Sequence, residues 1–388
     1  MSETTAYNKA IALLHKVSTV NGYTAAGAAA EDNYCRIWAR DSVVCGLAAL
    51  LTNDAELINT FKNSLTTIWS NQHSTGFLPS NVDAKNNASY GGTAGRADAP
   101  AWAIIGLCMY CKHTNDNTFL KKYEPQLKIA LHVMDIWEYN GKHLMYVPQS
   151  GDWADEYIQH GYVLFDQLLR LWALQLAADI FQNTTYSDKA LAIKTTIENN
   201  FFYRKDDAKW YAVNMVHQKE TSPKDHWWMG FNPAQIYPQF DLQANALAIL
   251  LNVGSAVQQK SCMKYIETLL EGRGTMLPSF WPAIKFEDRA MDELRNNFAY
   301  RFRNLPGQFH NAGLWPVWNG LMSAAFIKLG NVDAQKKLQN HIVETTSNNN
   351  FEMNECYHAD TNAPCGVKEC AWSAAGIIFS DRGHLLFK

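Results

Sequence analysis

The chain carries little charge for its length and no excess of one sign. In 388 residues, 34 lysines and arginines stand against 37 aspartates and glutamates, a net charge of -3. No basic stripe is available to neutralise a phosphate backbone, so nucleic acid is not an expected partner. Long apolar runs are absent too. Stretches such as Ala244 to Leu251 are too short to span a bilayer, and Met1 to Lys16 is polar and then amphipathic, without a signal-peptide core. The expectation is a cytoplasmic protein with no membrane partner. Neither GxGxxG nor the P-loop pattern occurs, which removes the usual grounds for a bound nucleotide. Among the eight cysteines, only the grouping Cys356, His358, Asp360, Cys365 and Cys370 has a metal-like look, and its spacing fits no zinc pattern. The other cysteines read as buried thiols. No cofactor and no metal are expected, and homo-oligomerisation stays open. Without a Pro/Gly/Ser-rich linker, residues 1–388 read as a single domain.

What is present is helical periodicity. Apolar residues recur at helical spacing over 5–20, 40–52, 54–71, 98–113, 117–138, 161–183, 186–202, 239–252, 255–271, 315–329, 332–345 and 369–380. Asn53-Asp54, Asn115 to Asn117, Tyr186-Ser187-Asp188 and Gly330-Asn331 supply stop and start signals at the short links. Short β-ribbons are expected near Leu144 to Val147 and Trp210 to Val213. Connections after odd-numbered helices are long and those after even-numbered ones are short. In an antiparallel array each helix reverses the chain, so all six long connections emerge on one face. The expected fold class is all-α, a closed ring of six helical hairpins with one functional rim.

The long connections hold the chemistry. Tyr34 to Ser42 brings Arg36, Trp38, Arg40 and Asp41 together where a helix begins, although Asp41 also suits an N-cap. The Gly-rich run Gly91 to Trp102 contains Arg96 and Asp98, and Asp98 before Pro100 again fits a helix start. In the third connection Asp152, Asp155 and Glu156 surround Trp153, with His160 close behind. Such charge could be mere surface, but surface loops seldom spend tryptophan and tyrosine that way. A carboxyl packed on an aromatic face has its pKa raised, as a proton donor near neutral pH requires. Gln308 to Trp315 contributes His310, Asn311 and Trp315, and Phe351 to Tyr357 contributes Glu355. Aromatic faces that stack on sugar rings, with Asp, Asn, Arg and His edges to hold hydroxyls, are the elements of a carbohydrate cleft. Asp155 and Glu355 lie on the third and last long connections, and the ring brings them to one rim. Two such carboxylates suffice for glycoside hydrolysis, at a separation of about 6.5 to 9.5 Å for inversion.

With those residues in view, the chain resembles the (α/α)6-barrel, six-hairpin glycosidases, most closely the alkaline/neutral invertases and more distantly amylo-α-1,6-glucosidase domains. Arg36-Ile37-Trp38-Ala39-Arg40-Asp41 is similar to the invertases' Arg-Val-Trp-Val-Arg-Asp segment. Trp153-Ala154-Asp155 followed by His160-Gly161 falls where that family has Met-Ile-Asp and a following His-Gly. His310 to Pro316 resembles His-Asn-Gly-Gly-x-Trp-Pro, and Asn354-Glu355-Cys356-Tyr357 before Trp372-Ser373 resembles Pro-Glu-Tyr-Tyr before Thr-Trp-Ser. The resemblance implies an inverting glycoside hydrolase of a small glucoside, oligosaccharide or sucrose-like glycoside. Asp155, rather than Asp152, is the implied general acid and Glu355 the implied general base. Trp38, Arg40, Asp41, Asp98, Asp152, Trp153, His160, His310, Asn311 and Trp315 are the implied sugar-binding residues. Glu156-Tyr157 stands where the invertases carry two arginines of substrate recognition, so sucrose itself is not implied. Two other readings remain: a sugar isomerase or epimerase on the same ring, working through His160, His226, His310 or His358, and a carbohydrate-binding protein without activity.

Overall fold

The computed structural model describes residues 3–27, 32–204, 210, 211, 213–298 and 301–388. Its long helices are α1 (Glu3–Lys16), α2 (Ala39–Thr52), α3 (Ala55–Ser70), α4 (Asp98–Thr114), α5 (Asn117–Ile136), α6 (Leu164–Phe181), α7 (Thr184–Asn200), α8 (Leu242–Leu250), α9 (Ala256–Arg273), α10 (Pro316–Lys328), α11 (Val332–Asn348) and α12 (Ala371–Arg382). These are the twelve expected segments, with ends displaced by a few residues. Three of the displacements have a physical reason: residues 18–19, expected as the end of the first helix, form a strand after α1, and 162–163 and 239–241, also expected as helix, are strands that deliver the chain to α6 and α8.

Side-chain chemistry sorts the helices into two rings. In α8 all nine residues are buried, and in α10 every residue from Pro316 to Phe326 is. A helix apolar all round must be enclosed by others. By contrast α11 buries one stripe, including Leu338, Ile342 and Thr346, and leaves its other side to solvent. The even-numbered helices form the inner ring, each packed on the next, and α12 returns to α2 to close it. Outside them, α3 covers α2, α5 covers α4, α7 covers α6, α11 covers α10, and α1 covers α12. The fold is an (α/α)6 barrel.

The helix ends divide in the same way. Outer helices are capped by polar side chains in the short links: Asp54 accepts from Glu56 and Leu57 N–H, Asp116 from Phe119, Asn183 from Tyr186, and Asn331 from Ala334, while Ser255 and Gln258 form a capping box. The α7 cap is therefore Asn183, three residues before the expected Tyr186. Inner helices α2, α4, α6, α10 and α12 begin without a side-chain cap, at Trp38, Ala97, Val163, Trp315 and Cys370. Asp41 and Asp98 lie inside the first turns of α2 and α4 rather than at the N-caps. The positive ends of the inner helices consequently converge on the face where the long connections lie.

Those connections carry the strands. An antiparallel four-stranded sheet orders Tyr162–Val163, Trp228–Phe231, Ile236–Asp241 and Phe280–Trp281, joining the third, fourth and fifth connections. Of the expected ribbons, Val147 makes one bridge to Gly161. The other falls partly on Ala212, outside the described residues, and Val213 opens a short helix to Gln218. Among the described residues, no helix is long and apolar enough to cross a membrane.

The ring is tightest between α10 and α12. A Cβ on Gly320 would lie 2.1 Å from the carbonyl oxygen of Gly376, and one on Gly376 would lie 2.3 Å from that of Pro316. Both obstacles are backbone, so relief requires the helices to separate. Gly376→Ala is expected to cost at least about 2–3 kcal/mol, above ordinary overpacking, and thermal unfolding will show it as a lowered Tm.

Candidate active site

At the mouth of the barrel a cavity of about 320 Å³ is lined by residues of four long connections and the inner helix ends they lead into. Tyr34, Trp38, Arg40 and Asp41 come from the first, Trp153, Asp155 and Glu156 from the third, Arg303, Phe309, His310 and Trp315 from the fifth, and Glu355 and Trp372 from the sixth.

Six aromatic side chains line this wall, Tyr34, Trp38, Trp153, Phe309, Trp315 and Trp372, of which Trp38 and Phe309 keep partly exposed faces on which a sugar ring can stack. Trp153 is their centre. Its ring lies nearly parallel to Phe280 at 5.8 Å and edge-on to His310, Trp315 and Trp318 at 5.0–5.1 Å. Tyr157 stacks on the same Phe280 at 4.5 Å. The Asp152–Tyr157 segment is thus pinned to the sheet, and Asn304 fastens it further by donating to the Glu156 carbonyl.

Arg40 forms the polar corner. It bonds Asp98 at 3.1 Å, lies 3.3 Å from Asp41, and places its guanidinium 5.2 Å from the Trp372 ring centre. Burial disfavours its charge, but Asp41, Asp98 and Asp155 outweigh that and raise its pKa. Burial also raises the Asp41 carboxyl, against the pull of Arg40.

The two implied catalytic acids differ in environment. Glu355 is held by Tyr34, whose hydroxyl reaches both carboxylate oxygens at 3.1 and 2.9 Å. Gly366 leaves room for this group: a Cβ there would meet Glu355 Oε2 at 2.3 Å, and its φ of +74° independently favours glycine. Burial raises the Glu355 pKa in spite of Tyr34 and Arg303. Asp155 accepts from Arg96 Nη2 at 2.6 Å and lies 3.7 Å from His310 Nε2. Burial alone would raise its pKa, but His310, Arg96 and Arg40 bring it down to about 2.

Asp152, three residues away, is 2 % exposed and lies outside the cavity wall. Gln159 donates to its Oδ2. Burial, reinforced by Asp98 and Asp155, pushes its pKa up to about 8. Asp166 in the first turn of α6 and Asp241 at the cap of α8 are fully buried and also pushed well up by burial, with neighbouring carboxylates adding to the shift. Four successive inner helices therefore start with an aspartate: 41, 98, 166 and 241.

Of the residues expected from sequence, Trp38, Arg40, Asp41, Trp153, Asp155, His310, Trp315 and Glu355 meet in the cavity wall. Asp98 holds Arg40 from outside that wall, and Asp152 is buried at the start of the acid loop. His160 turns to Tyr237 and Asn232. Asn311 is fully buried and satisfied by the backbone of Ile284 and Asn304. Tyr34 and Arg96, absent from that expectation, bond Glu355 and Asp155, and Arg303, likewise absent, pairs with Glu156 at 3.5 Å in the same wall. Cys356 and Cys365 face one another across a short ribbon beside Glu355.

No known protein-family model matches the chain. It is 23% identical over 369 residues to alkaline/neutral invertase C, mitochondrial, of Arabidopsis thaliana, an overlap covering 79% of this chain and 54% of that protein. The chain thus spans about half the length of this curated relative. Among solved structures, a GH63 mannosylglycerate hydrolase from Thermus thermophilus in complex with glucose superimposes with a TM-score of 0.70 at 13% identity, covering 96% of this chain and 98% of that one. A bacterial glucoamylase complexed with acarbose gives 0.66 at 12% identity over 99% and 56% of the two chains. Glucoamylase from Saccharomycopsis fibuligera gives 0.58 at 13% identity over 97% and 94%. At these identities the structures share the fold.

Proposed function

We propose that the chain is a glycoside hydrolase of the inverting kind, a single catalytic domain over 1–388 that cleaves a small glucoside-like glycoside or oligosaccharide in the cytoplasm. The observation that carries this reading is the placement of Asp155 and Glu355, 200 residues apart in sequence, on one cavity walled by six aromatic side chains. The invertase, the mannosylglycerate hydrolase and the glucoamylases with which it shares sequence or fold lend support.

Asp155 is the general acid and protonates the leaving oxygen. Glu355, oriented by Tyr34, takes a proton from the water that attacks the anomeric carbon. Arg40, Asp41, Trp38, Trp153, His310 and Trp315 hold the sugar being released, with Asp98 fixing Arg40 from behind. The chemistry needs no cofactor: one carboxyl gives a proton, the other receives one, and the pair is reset by exchange with water.

Incubation with sucrose, maltose, isomaltose, trehalose and 2-O-glucosylglycerate, followed by proton NMR within the first turnovers, tests the proposal. The expected result is a new reducing sugar whose first-formed anomer is opposite to that of the substrate. Release of the same anomer replaces inversion by retention, with Glu355 as nucleophile. Conversion of a free monosaccharide to an isomer, with no glycoside cleaved, overturns hydrolysis.

A further inference from the structure

The strongest contact at the proposed proton donor conflicts with that role. A general acid must present a protonated oxygen to the leaving group, yet Asp155 Oδ2 receives a guanidinium N–H from Arg96 at 2.6 Å and Oδ1 faces His310 at 3.7 Å. A proton on Oδ2 would point at another donor.

The geometry points to Arg96 as a latch on the proton donor, closed on Asp155 in the free protein and displaced when the leaving-group oxygen of the substrate takes its place. This rests on the reading of Asp155 as the general acid. Arg96 is built for displacement in three respects. It belongs to the second long connection, a different element from the acid it holds, and its other side-chain anchor is one carbonyl oxygen, that of Ser150. The run before it turns through Gly91, Gly92 and Gly95, all at positive φ and closed by a bond from Gly95 N–H to Gly91 O of 3.0 Å. On its outer side the turn faces open space, since a Cβ on Gly92 would meet nothing within 4 Å and one on Gly95 only the Tyr90 carbonyl at 3.8 Å, while on its inner side Gly91 packs on Arg96, whose Cγ a Cβ there would meet at 2.7 Å, so turn and side chain move together. The following backbone stays fixed, because Ala97 N–H bonds the Gly151 carbonyl of the acid loop at 2.6 Å. The side chain and the glycine turn can thus swing while α4 stays in place.

The charged groups facing Asp155 give the latch its consequence. Arg96 arrives from the second connection, Arg40 from α2, His310 and Arg303 from the fifth connection, and Asp152 from its own loop. Removing Arg96 leaves burial and Asp152 to raise the carboxyl against one cation fewer. Asp155 then takes up a proton with substrate in place, and the freed guanidinium can bind a hydroxyl or carboxylate of the leaving group. The free protein holds the donor ionised and uncommitted, and bound substrate arms it.

Two measurements test this, one independent of turnover. In protein labelled with 13C at aspartate carboxyls, and with the Asp155 resonance assigned by its loss in Asp155→Asn, the Asp155 midpoint in Arg96→Gln is expected to rise by about one pH unit or more, whereas Arg96→Lys keeps most of the depression. An unmoved midpoint in Arg96→Gln overturns the latch. Kinetics on whichever disaccharide is cleaved supply the second readout, since kcat/KM reports the free enzyme and kcat the complex. In the free enzyme Asp155, at about 2, titrates below Glu355, whose pKa burial raises, so Asp155 sets the acid limb of kcat/KM; Arg96→Gln is expected to move that limb upward by about one unit or more and to leave the limbs of kcat in place. Limbs that move together show Arg96 still on Asp155 in the complex, which also overturns it. If Asp155→Asn keeps its turnover, the acid assignment falls and the latch with it. If that variant is inactive and the limbs do not separate, only the latch falls.

Discussion

Replacing either cavity carboxylate by its amide is expected to lower kcat by about 10³-fold or more, while Tm falls only in the Asp155 variant. The loss of rate follows from the chemistry, because an amide of nearly the same shape can neither give nor take the required proton, and positioned acids and bases contribute 10²–10⁴-fold. The stability effects separate because the two environments differ. Glu355 has its pKa raised by burial, so its ionised form is disfavoured in the folded state at neutral pH. Glu355→Gln removes that penalty, keeps an oxygen for the Tyr34 hydroxyl, and is expected to leave Tm unchanged or raise it. Asp155 is held ionised by His310, Arg96 and Arg40. Asp155→Asn strands the Arg96 guanidinium and is expected to lower Tm. The sign also predicts the pH profile: a base with a raised pKa places the acid limb of kcat above the ordinary glutamate range. Rates within tenfold of the unaltered protein in either variant would sink the assignment, whatever happens to Tm.

How much of this was legible beforehand depends on the scale of the signal. Helical period and polar links are local, so twelve helices and the alternation of connection lengths could be read from sequence, and the alternation implied one rim. Burial on all sides, which separates α8 from α11, is equally visible in composition. The sheet was harder. Trp228–Phe231 is buried throughout and so shows no alternation, while Ile236–Asp241 is interrupted by Pro238. Residues acting through long-range pairs were not readable at all. Arg96 meets Asp155 across 59 positions and Tyr34 meets Glu355 across 321, and nothing in either local segment names its partner. Asp166 and Asp241 look like ordinary helix-start aspartates one at a time. Their significance lies in the ring, which gathers the starts of four inner helices into one buried acidic floor.

That floor has a measurable cost. Asp152→Asn is expected to gain stability relative to the unaltered protein as the pH rises. The folded-state pKa of Asp152 is pushed up to about 8 from an ordinary 3.8, first by burial and then by Asp98 and Asp155. Below pH 3.8 the carboxyl is protonated whether the chain is folded or not, and its contribution is fully present. Between 3.8 and 8 the unfolded chain releases the proton and the folded one keeps it, so stability declines with pH and is lost through the folded pKa. Over roughly four pH units at 1.36 kcal/mol each, the ceiling is about 5 kcal/mol, or about 6 °C in Tm for a chain of this length. The amide cannot ionise and can still accept from Gln159, so the Tm difference between variant and unaltered protein should widen steadily from about pH 5 to about pH 8. Asp166 and Asp241 remain in the variant and keep a shallower slope of the same sign. A difference independent of pH would show that Asp152 is ionised in the fold and would overturn its raised pKa. The same preparation separates the two candidate donors, because kcat in Asp152→Asn must fall far less than in Asp155→Asn if Asp155 delivers the proton.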